Sequence, residues 1–220
     1  MSDGGEPPQG SLPPQESPRR RLTAGRLSGL DRSGAPPPQT VPGAPLRPWT
    51  IPNAIGYVRL ALIPVAVVLA WRSDGVDLAA ALVYGAIGWG DYFDGIAARV
   101  TGQYSRMGAL LDPLVDRLYV IAGIVICWNF DLLPRWLLAV LVAREALMLA
   151  VAPLALRRGV ALKINWWGRW GVWPAMTGLW LGICGARTAG ALFLALGVAL
   201  LLVATVEYAR SAREQLAAQG

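Results

Sequence analysis

The chain has 220 residues, of which 55% are hydrophobic and 15% are charged, and its formal net charge is +6. Because a soluble domain usually carries about 25% charged residues, this composition favours one helical bundle in a lipid bilayer. The basic residues are nearly all arginines that lie between apolar segments, which favours a membrane protein over one that binds nucleic acid. The sequence contains no histidine, which excludes a histidine-based triad and histidine-ligated zinc and leaves carboxylates as the expected proton acceptors.

Residues 1–46 form a polar segment that is rich in proline, glycine, serine and arginine. It has few large apolar side chains, so it cannot bury enough surface to offset the entropy lost on ordering. We therefore predict a disordered N-terminal tail and assign residues 47–220 to the membrane domain.

Six apolar segments follow the tail, each close to the roughly 20 residues that cross about 30 Å of hydrocarbon. The breaks between them, such as "RSDGVD" and "TGQYSR", contain the glycine, proline and charged residues that interrupt helices. We predict an all-α, integral membrane bundle of six transmembrane helices, at about 51–71, 77–100, 107–128, 134–156, 166–184 and 189–209.

The arginines also predict the orientation of the bundle. They concentrate in the tail, in the second and fourth connections and at the C-terminus, whereas the opposite connections carry only Arg72, Arg135 and Arg187. Since basic residues remain on the cytoplasmic side, we expect both termini and the second connection to face the cytoplasm.

Four aspartates interrupt the apolar pattern in the segment "DYFDGIAARVTGQYSRMGALLDPLVD". Asp91 and Asp94 are three residues apart in the second predicted helix, and Asp112 and Asp116 are four apart in the third. Both spacings place the pair on one helix face, and the short connection lets the two faces meet. Converging carboxylates repel one another, and oxygen ligands without histidine or cysteine favour Mg²⁺, Mn²⁺ or Ca²⁺ over zinc.

Small and basic residues surround these acids. Gly95 and two nearby alanines would let a ligand approach closely, and Arg99 and Arg106 add positive charge. Acids with a metal ion, small residues and arginine together indicate a phosphate or pyrophosphate site.

The aspartates would also suit two different roles, in transport or in structure. Intramembrane acids occur in proton- or cation-coupled transporters. Alternatively, the acids pair only with arginines for structural reasons, and the candidate partners are Arg99, Arg106, Arg117 and Arg144.

The aspartate segment resembles the signature D-x2-D-G-x2-A-R-x8-G-x3-D-x3-D of the CDP-alcohol phosphotransferase family. The matching positions are Asp91, Asp94, Gly95, Ala98, Arg99, Gly108, Asp112 and Asp116. The resemblance extends from about Trp49 to the C-terminus, and "WTIPNAIGYVRLALIP" is similar to the opening of bacterial phosphatidylglycerophosphate synthases and actinobacterial cardiolipin synthases.

This resemblance implies a six-helix enzyme of the bacterial plasma membrane, commonly a homodimer. The distribution of the arginines independently predicts that its active site lies on the cytoplasmic side. Such enzymes transfer the phosphatidyl group of CDP-diacylglycerol to an alcohol, release CMP and serve phospholipid biosynthesis. Two divalent cations, Mg²⁺ or Mn²⁺, are implied as cofactors.

The resemblance also implies roles for individual residues. Asp91, Asp94 and Asp112 would be metal ligands, and Asp116 would be the catalytic base and a further ligand. The positions that correspond to contacts with CDP-diacylglycerol are Asn53, Gly95, Arg99 and Ser105.

The identity of the acceptor is left open by the sequence. Arg144, Lys163 and Arg169 are the candidate contacts for an acceptor phosphate. Family members that use glycerol 3-phosphate typically have "G-K-x-K" at the fifth helix, whereas this chain has "NWWGRWGVW", with Gly171 in place of the second lysine. We therefore expect either glycerol 3-phosphate, giving phosphatidylglycerophosphate, or phosphatidylglycerol, giving cardiolipin.

Overall fold

A computed structural model of the chain describes residues 46–101, 103, 105–157 and 166–217. The predicted tail, apart from Leu46, and the loop that contains Lys163 lie outside the described residues.

The described residues form six α-helices and no strand, which confirms the all-helical prediction. The helices are α1 (Ile51–Arg72), α2 (Leu78–Thr101), α3 (Arg106–Asn129), α4 (Arg135–Arg157), α5 (Trp166–Ile183) and α6 (Arg187–Ala217). Helix α6 continues well past the predicted end at residue 209, because the polar residues that follow its apolar part are mostly good helix formers.

Side-chain caps determine where several helices begin. The Thr50 hydroxyl accepts a hydrogen bond from the backbone N–H of Asn53 (3.3 Å) at the start of α1. The Ser105 hydroxyl accepts one from the N–H of Gly108 (3.0 Å) at the start of α3. Each cap satisfies an N–H group that has no partner within the helix.

Close packing places α1 against α2 and α3, while α5 packs against α6, α3 and α2, and α4 against α6 and α3. In the core, the buried rings of Tyr84 and Tyr119 stack with their centroids 4.2 Å apart. Helices α5 and α6 approach most closely at glycines: a Cβ on Gly197 would lie 2.3 Å from the backbone nitrogen of Ala175. Close approach at small residues is typical of helix packing in membranes.

The outer faces of the helices are apolar as well as the core, because each helix exposes several large hydrophobic side chains. A helix that is apolar on all sides is buried or lies in lipid. Among the described residues, only Ile51–Arg72 and Arg187–Gln215 are long and apolar enough to cross a membrane by length and composition alone. The six-span bundle is thus not confirmed and stays a prediction.

Candidate active site

One buried arginine on α1 connects three of the four aspartates. The Nη1 atom of Arg59 donates to Asp94 Oδ2 (2.8 Å) and Asp91 Oδ1 (3.3 Å), and its Nη2 atom donates to Asp116 Oδ1 (3.0 Å). Aspartates of both α2 and α3 therefore face the same guanidinium.

The backbone of α2 makes room for the Arg59 side chain. Gly90 lies beside it, and a Cβ at that position would be only 2.7 Å from Arg59 Cδ. The Nε atom of Arg59 donates to the carbonyl oxygen of Ile87 (3.0 Å), one turn before the aspartates. With a residue exposure of 2%, the guanidinium is removed from solvent, and its burial is tolerable because it is hydrogen-bonded on all sides by acceptors.

The aspartates differ in exposure. The side chain of Asp94 is 9% exposed, whereas those of Asp91 and Asp116 are 55% and 48% exposed. Asp112 is also exposed, and Arg59 makes no hydrogen bond to it. The cluster is consequently buried on the side of Arg59 and open on the other, where a ligand can reach it.

The four aspartates offer carboxylate oxygens, which are the ligands that hard divalent cations prefer. Within the described ranges, no three acidic side chains are already arranged closely enough to hold a metal ion. However, Asp91, Asp94 and Asp116 each give one oxygen to Arg59, and no hydrogen bond among the described residues uses their second oxygen. Asp112 lies one turn before Asp116. One guanidinium offsets only one of the four carboxylate charges, so the cluster attracts further cations.

Asn53 and Ser105 lie together at the start of α1 and α3. Both hydrogens of the Asn53 amide are donated, to the carbonyl oxygens of Arg47 (3.1 Å) and Pro48 (3.0 Å), and its oxygen accepts from the Ser105 hydroxyl (3.0 Å). Both residues are buried, with exposures of 1% and 6%. They hold the segment before α1 against the start of α3, and their role toward a nucleotide stays a prediction.

The other predicted nucleotide contacts belong to α2. Gly95 follows Asp94 directly and is half-buried. Arg99 also belongs to α2, but its side chain lies outside the described part of the chain.

The predicted acceptor contacts are not brought to the aspartates by any described contact. Arg144 Nε donates to Thr205 Oγ1 on α6 (3.3 Å), and the Arg144 guanidinium forms an ion pair with Glu145. Lys163 lies outside the described residues, as does the side chain of Arg169.

The alternative in which the aspartates pair with nearby arginines can be compared with the structure for three of its four candidates, because the side chain of Arg99 lies outside the described residues. In the part of the chain that the structure describes, no ion pair joins the aspartates to Arg106, Arg117 or Arg144. Their partner Arg59 was missed by the sequence analysis. A signal was present, because Arg59 is the only charged residue inside the first apolar segment, and an ionisable residue in such a segment marks a functional site.

Comparison with known proteins gives the family that the sequence matches. Residues 49–209 match the family described as CDP-alcohol phosphatidyltransferase. A Mycobacterium tuberculosis protein named "Putative cardiolipin synthase" is 38% identical over 144 residues, covering 63% of this chain and 68% of the relative.

Two further relatives carry more specific names. The "Cardiolipin synthase (CMP-forming)" of Streptomyces coelicolor is 41% identical over 121 residues, covering 51% of this chain and 54% of the relative. The "CDP-diacylglycerol--glycerol-3-phosphate 3-phosphatidyltransferase" of Bacillus subtilis is 30% identical over 138 residues, covering 57% and 72%.

Proposed function

Because the chain belongs to the CDP-alcohol phosphatidyltransferase family, an enzyme family of the membrane, we propose that its aspartate cluster is the active site. The proposed reaction transfers the phosphatidyl group of CDP-diacylglycerol to a glycerol-type acceptor and releases CMP. Membership of a transferase family favours this prediction over the transporter that the aspartates alone left open.

The observation that supports this proposal most is the convergence of aspartates from α2 and α3 on one face. Asp91, Asp94 and Asp116 lie within hydrogen-bonding distance of the same guanidinium and keep further oxygens available. Asp112 lies on the same helix face as Asp116, one turn away. In the proposal, Asp91, Asp94 and Asp112 hold two divalent cations, Mg²⁺ or Mn²⁺.

Bound divalent cations would supply positive charge for the pyrophosphate of the donor and for the departing phosphate of CMP. The protein positions the remaining groups. Gly95 leaves space beside Asp94 for the nucleotide diphosphate, and Arg99 is the proposed cationic contact to it. Asn53 and Ser105 form the buried support beneath the nucleotide rather than an open surface, since their exposures are 1% and 6%.

Asp116 is the proposed base. Its Oδ1 atom accepts from Arg59, which leaves Oδ2 available, and the side chain is 48% exposed and therefore accessible to an acceptor. Asp116 would take the proton of the acceptor hydroxyl as that oxygen attacks the phosphorus next to diacylglycerol. The bond between this phosphorus and the bridging oxygen breaks, and CMP leaves with the electron pair.

The packing of α5 supports phosphatidylglycerol as the acceptor, with cardiolipin as the product. Gly171 stands where the second lysine of "G-K-x-K" would be, and a Cβ there would lie 3.0 Å from both Leu201 N and Leu201 Cγ. A side chain at this position would press against α6, so the glycine suits the helix packing, and this chain lacks one phosphate contact of the glycerol 3-phosphate enzymes. The names of the two relatives that are 38% and 41% identical point to the same acceptor.

The proposal includes the predicted orientation. Arg106 is the first residue of α3, at the loop that joins the two aspartate-bearing helices, so the active site would face the cytoplasm in a six-span bundle, as would both termini. The two proposed lipid substrates would keep their acyl chains in the bilayer while CMP leaves into water. The homodimer implied by the resemblance stays a prediction.

The test is CMP release by the purified protein from CDP-diacylglycerol, with phosphatidylglycerol and glycerol 3-phosphate offered separately. We expect release that depends on Mg²⁺ or Mn²⁺, is abolished by a chelator and is faster with phosphatidylglycerol. Faster release with glycerol 3-phosphate would reject the acceptor assignment and leave the transferase proposal intact. Absence of release with either acceptor, in the presence of both cations, would reject the transferase proposal.

A further inference from the structure

Arg59 has no role in the proposed reaction so far, although it is the centre of the cluster. We propose that Arg59 is a positioning residue: it holds one oxygen each of Asp91, Asp94 and Asp116, and so keeps carboxylates from α2 and α3 near enough for their other oxygens to close around a divalent cation when it binds. This inference rests on the proposed function, because it assigns the cation site to the same aspartates.

The hydrogen-bond pattern suits this role. A guanidinium presents its N–H groups in a rigid planar fork, and Arg59 uses Nε, Nη1 and Nη2 at once, toward a carbonyl and three carboxylates. The Nε bond to Ile87 fixes the plane of the guanidinium relative to α2. The other two nitrogens then relate α2 to α3, because they bind aspartates from both helices.

The burial of Arg59 distinguishes positioning from substrate binding. At 2% exposure, Arg59 lies behind the carboxylates, whereas Asp91 and Asp116 face outward. A substrate would meet the aspartates first. We therefore expect substitution of Arg59 to change the affinity for cations and the turnover number kcat, and to change the KM for the lipid donor much less.

If Arg59 acted only through its charge, its substitution would increase the affinity for cations. The direction of the change in affinity therefore distinguishes a charge effect from positioning. Removal of a positive charge increases the attraction of four carboxylates for Mn²⁺. However, without Arg59 the carboxylates repel one another at close range, so they would turn away from one another toward solvent. A cation would then have to gather them, and we expect this cost to exceed the electrostatic gain.

The experiment is a Mn²⁺ titration of the full-length protein in detergent, without substrate, with free Mn²⁺ followed by electron paramagnetic resonance. Substitution of a residue that supports metal ligands typically weakens metal affinity by about 10- to 100-fold, and we expect a loss in this range for Arg59→Gln. Arg59→Lys keeps the charge but not the planar fork, so we expect a smaller loss. Gly90→Ala, which places a methyl group against the Arg59 side chain, should weaken Mn²⁺ binding without removing any charge.

The matched control is Arg72→Gln, because Arg72 is an exposed arginine of the same helix and is its last residue, 13 positions after Arg59. We expect wild-type Mn²⁺ affinity for this variant. Unchanged or tighter Mn²⁺ binding in the Arg59 variants overturns the inference, even if their thermal stability is lower. A wild-type protein that binds no Mn²⁺ also overturns it. If Arg59→Gln does not fold, Arg59→Lys and Gly90→Ala decide the result.

The titration needs no catalytic turnover, so failure of the inference and failure of the proposed function are distinguishable. Arg59-dependent Mn²⁺ binding in a protein that releases no CMP would retain the inference and reject the transferase. CMP release by a protein whose Mn²⁺ binding does not depend on Arg59 would reject the inference and retain the transferase.

Discussion

Asp116 is held differently from the other aspartates of the cluster. It binds Nη2 of Arg59, whereas Asp91 and Asp94 share Nη1. This separate hydrogen bond orients one oxygen and leaves the other available on the open side of the cluster, as a general base requires. Substitution by asparagine would test this role, because asparagine has the same shape as aspartate and can still accept a hydrogen bond from Arg59.

We expect Asp116→Asn to reduce the rate of CMP release from CDP-diacylglycerol by at least about 100-fold, the usual lower range for loss of a general base. The amide oxygen can accept from Arg59 Nη2 as the carboxylate does, so the protein should remain folded. The measurement is the initial rate of CMP release at saturating Mn²⁺, together with the thermal unfolding midpoint.

Asp131→Asn is the control for the loss of an acid elsewhere. Asp131 pairs with Arg135 at 2.8 Å, and both side chains are more than half exposed, so the pair contributes little to stability. We expect this variant to keep the wild-type rate. Wild-type turnover in Asp116→Asn would remove Asp116 from the role of base.

At the scale of the helices, α5 and α6 pack with their backbones in close contact. A Cβ on Gly178 would lie 2.5 Å from the backbone nitrogen of Leu194, and one on Gly197 would lie 2.3 Å from that of Ala175. Because the neighbouring atoms belong to the backbone, a rotamer change cannot relieve the conflict. The two helices would have to move apart.

We therefore expect Gly197→Ala to lower the thermal unfolding midpoint. Overpacking of this kind costs about 1–3 kcal/mol, whereas alanine would stabilise an isolated helix by about 1 kcal/mol relative to glycine. The opposite signs of these two effects make the direction of the shift decisive. A midpoint at or above the wild-type value would show that α5 and α6 are not packed as closely as described.

Gly168→Ala is the matched control on the same helix pair. Its Cβ would meet Ala204 Cβ at 3.5 Å, which is an ordinary van der Waals distance. We expect the unfolding midpoint of this variant to be unchanged or slightly raised.

The helices themselves could be predicted from the sequence because local features determine them. Apolar segments of suitable length, separated by glycine, proline and charged residues, lead to the six helices. The end of α6 could not be predicted in this way. The apolar pattern ends near residue 209, but helix-forming polar residues extend the helix to Ala217, where Gln215 also hydrogen-bonds Ser211 (3.1 Å).

The site could be predicted only in part, because only some of its contacts depend on local sequence. The spacings within α2 and within α3 predict that each pair of aspartates shares a face, because helix periodicity is a local property. The partner Arg59 is 32 residues from Asp91 and 57 from Asp116 along the chain. No spacing rule connects residues so far apart, so their contact depends on how α1 packs against α2 and α3.

At the scale of the whole molecule, the apolar outer faces of the helices and the uneven distribution of the arginines predict one orientation in a membrane. The turn between α5 and α6 contains Cys184, which is exposed, while Cys127 in α3 is buried. In the predicted topology this turn lies opposite the cytoplasmic loop between α2 and α3. The two natural cysteines can therefore report the orientation without added reporter residues.

We expect a membrane-impermeant maleimide to label Cys184 from outside in intact cells that express the protein, and Cys127 to remain unlabelled. Partial burial raises the pKa of the Cys184 thiol, so mildly alkaline buffer increases the reactive thiolate and the rate of labelling. The measurement is the fraction of protein that gains mass from the reagent before and after permeabilisation of the membrane. Cys184→Ala should abolish the signal. Labelling of Cys184 only after permeabilisation would place this turn in the cytoplasm, and the aspartate cluster would then face the opposite side, away from the cytoplasm.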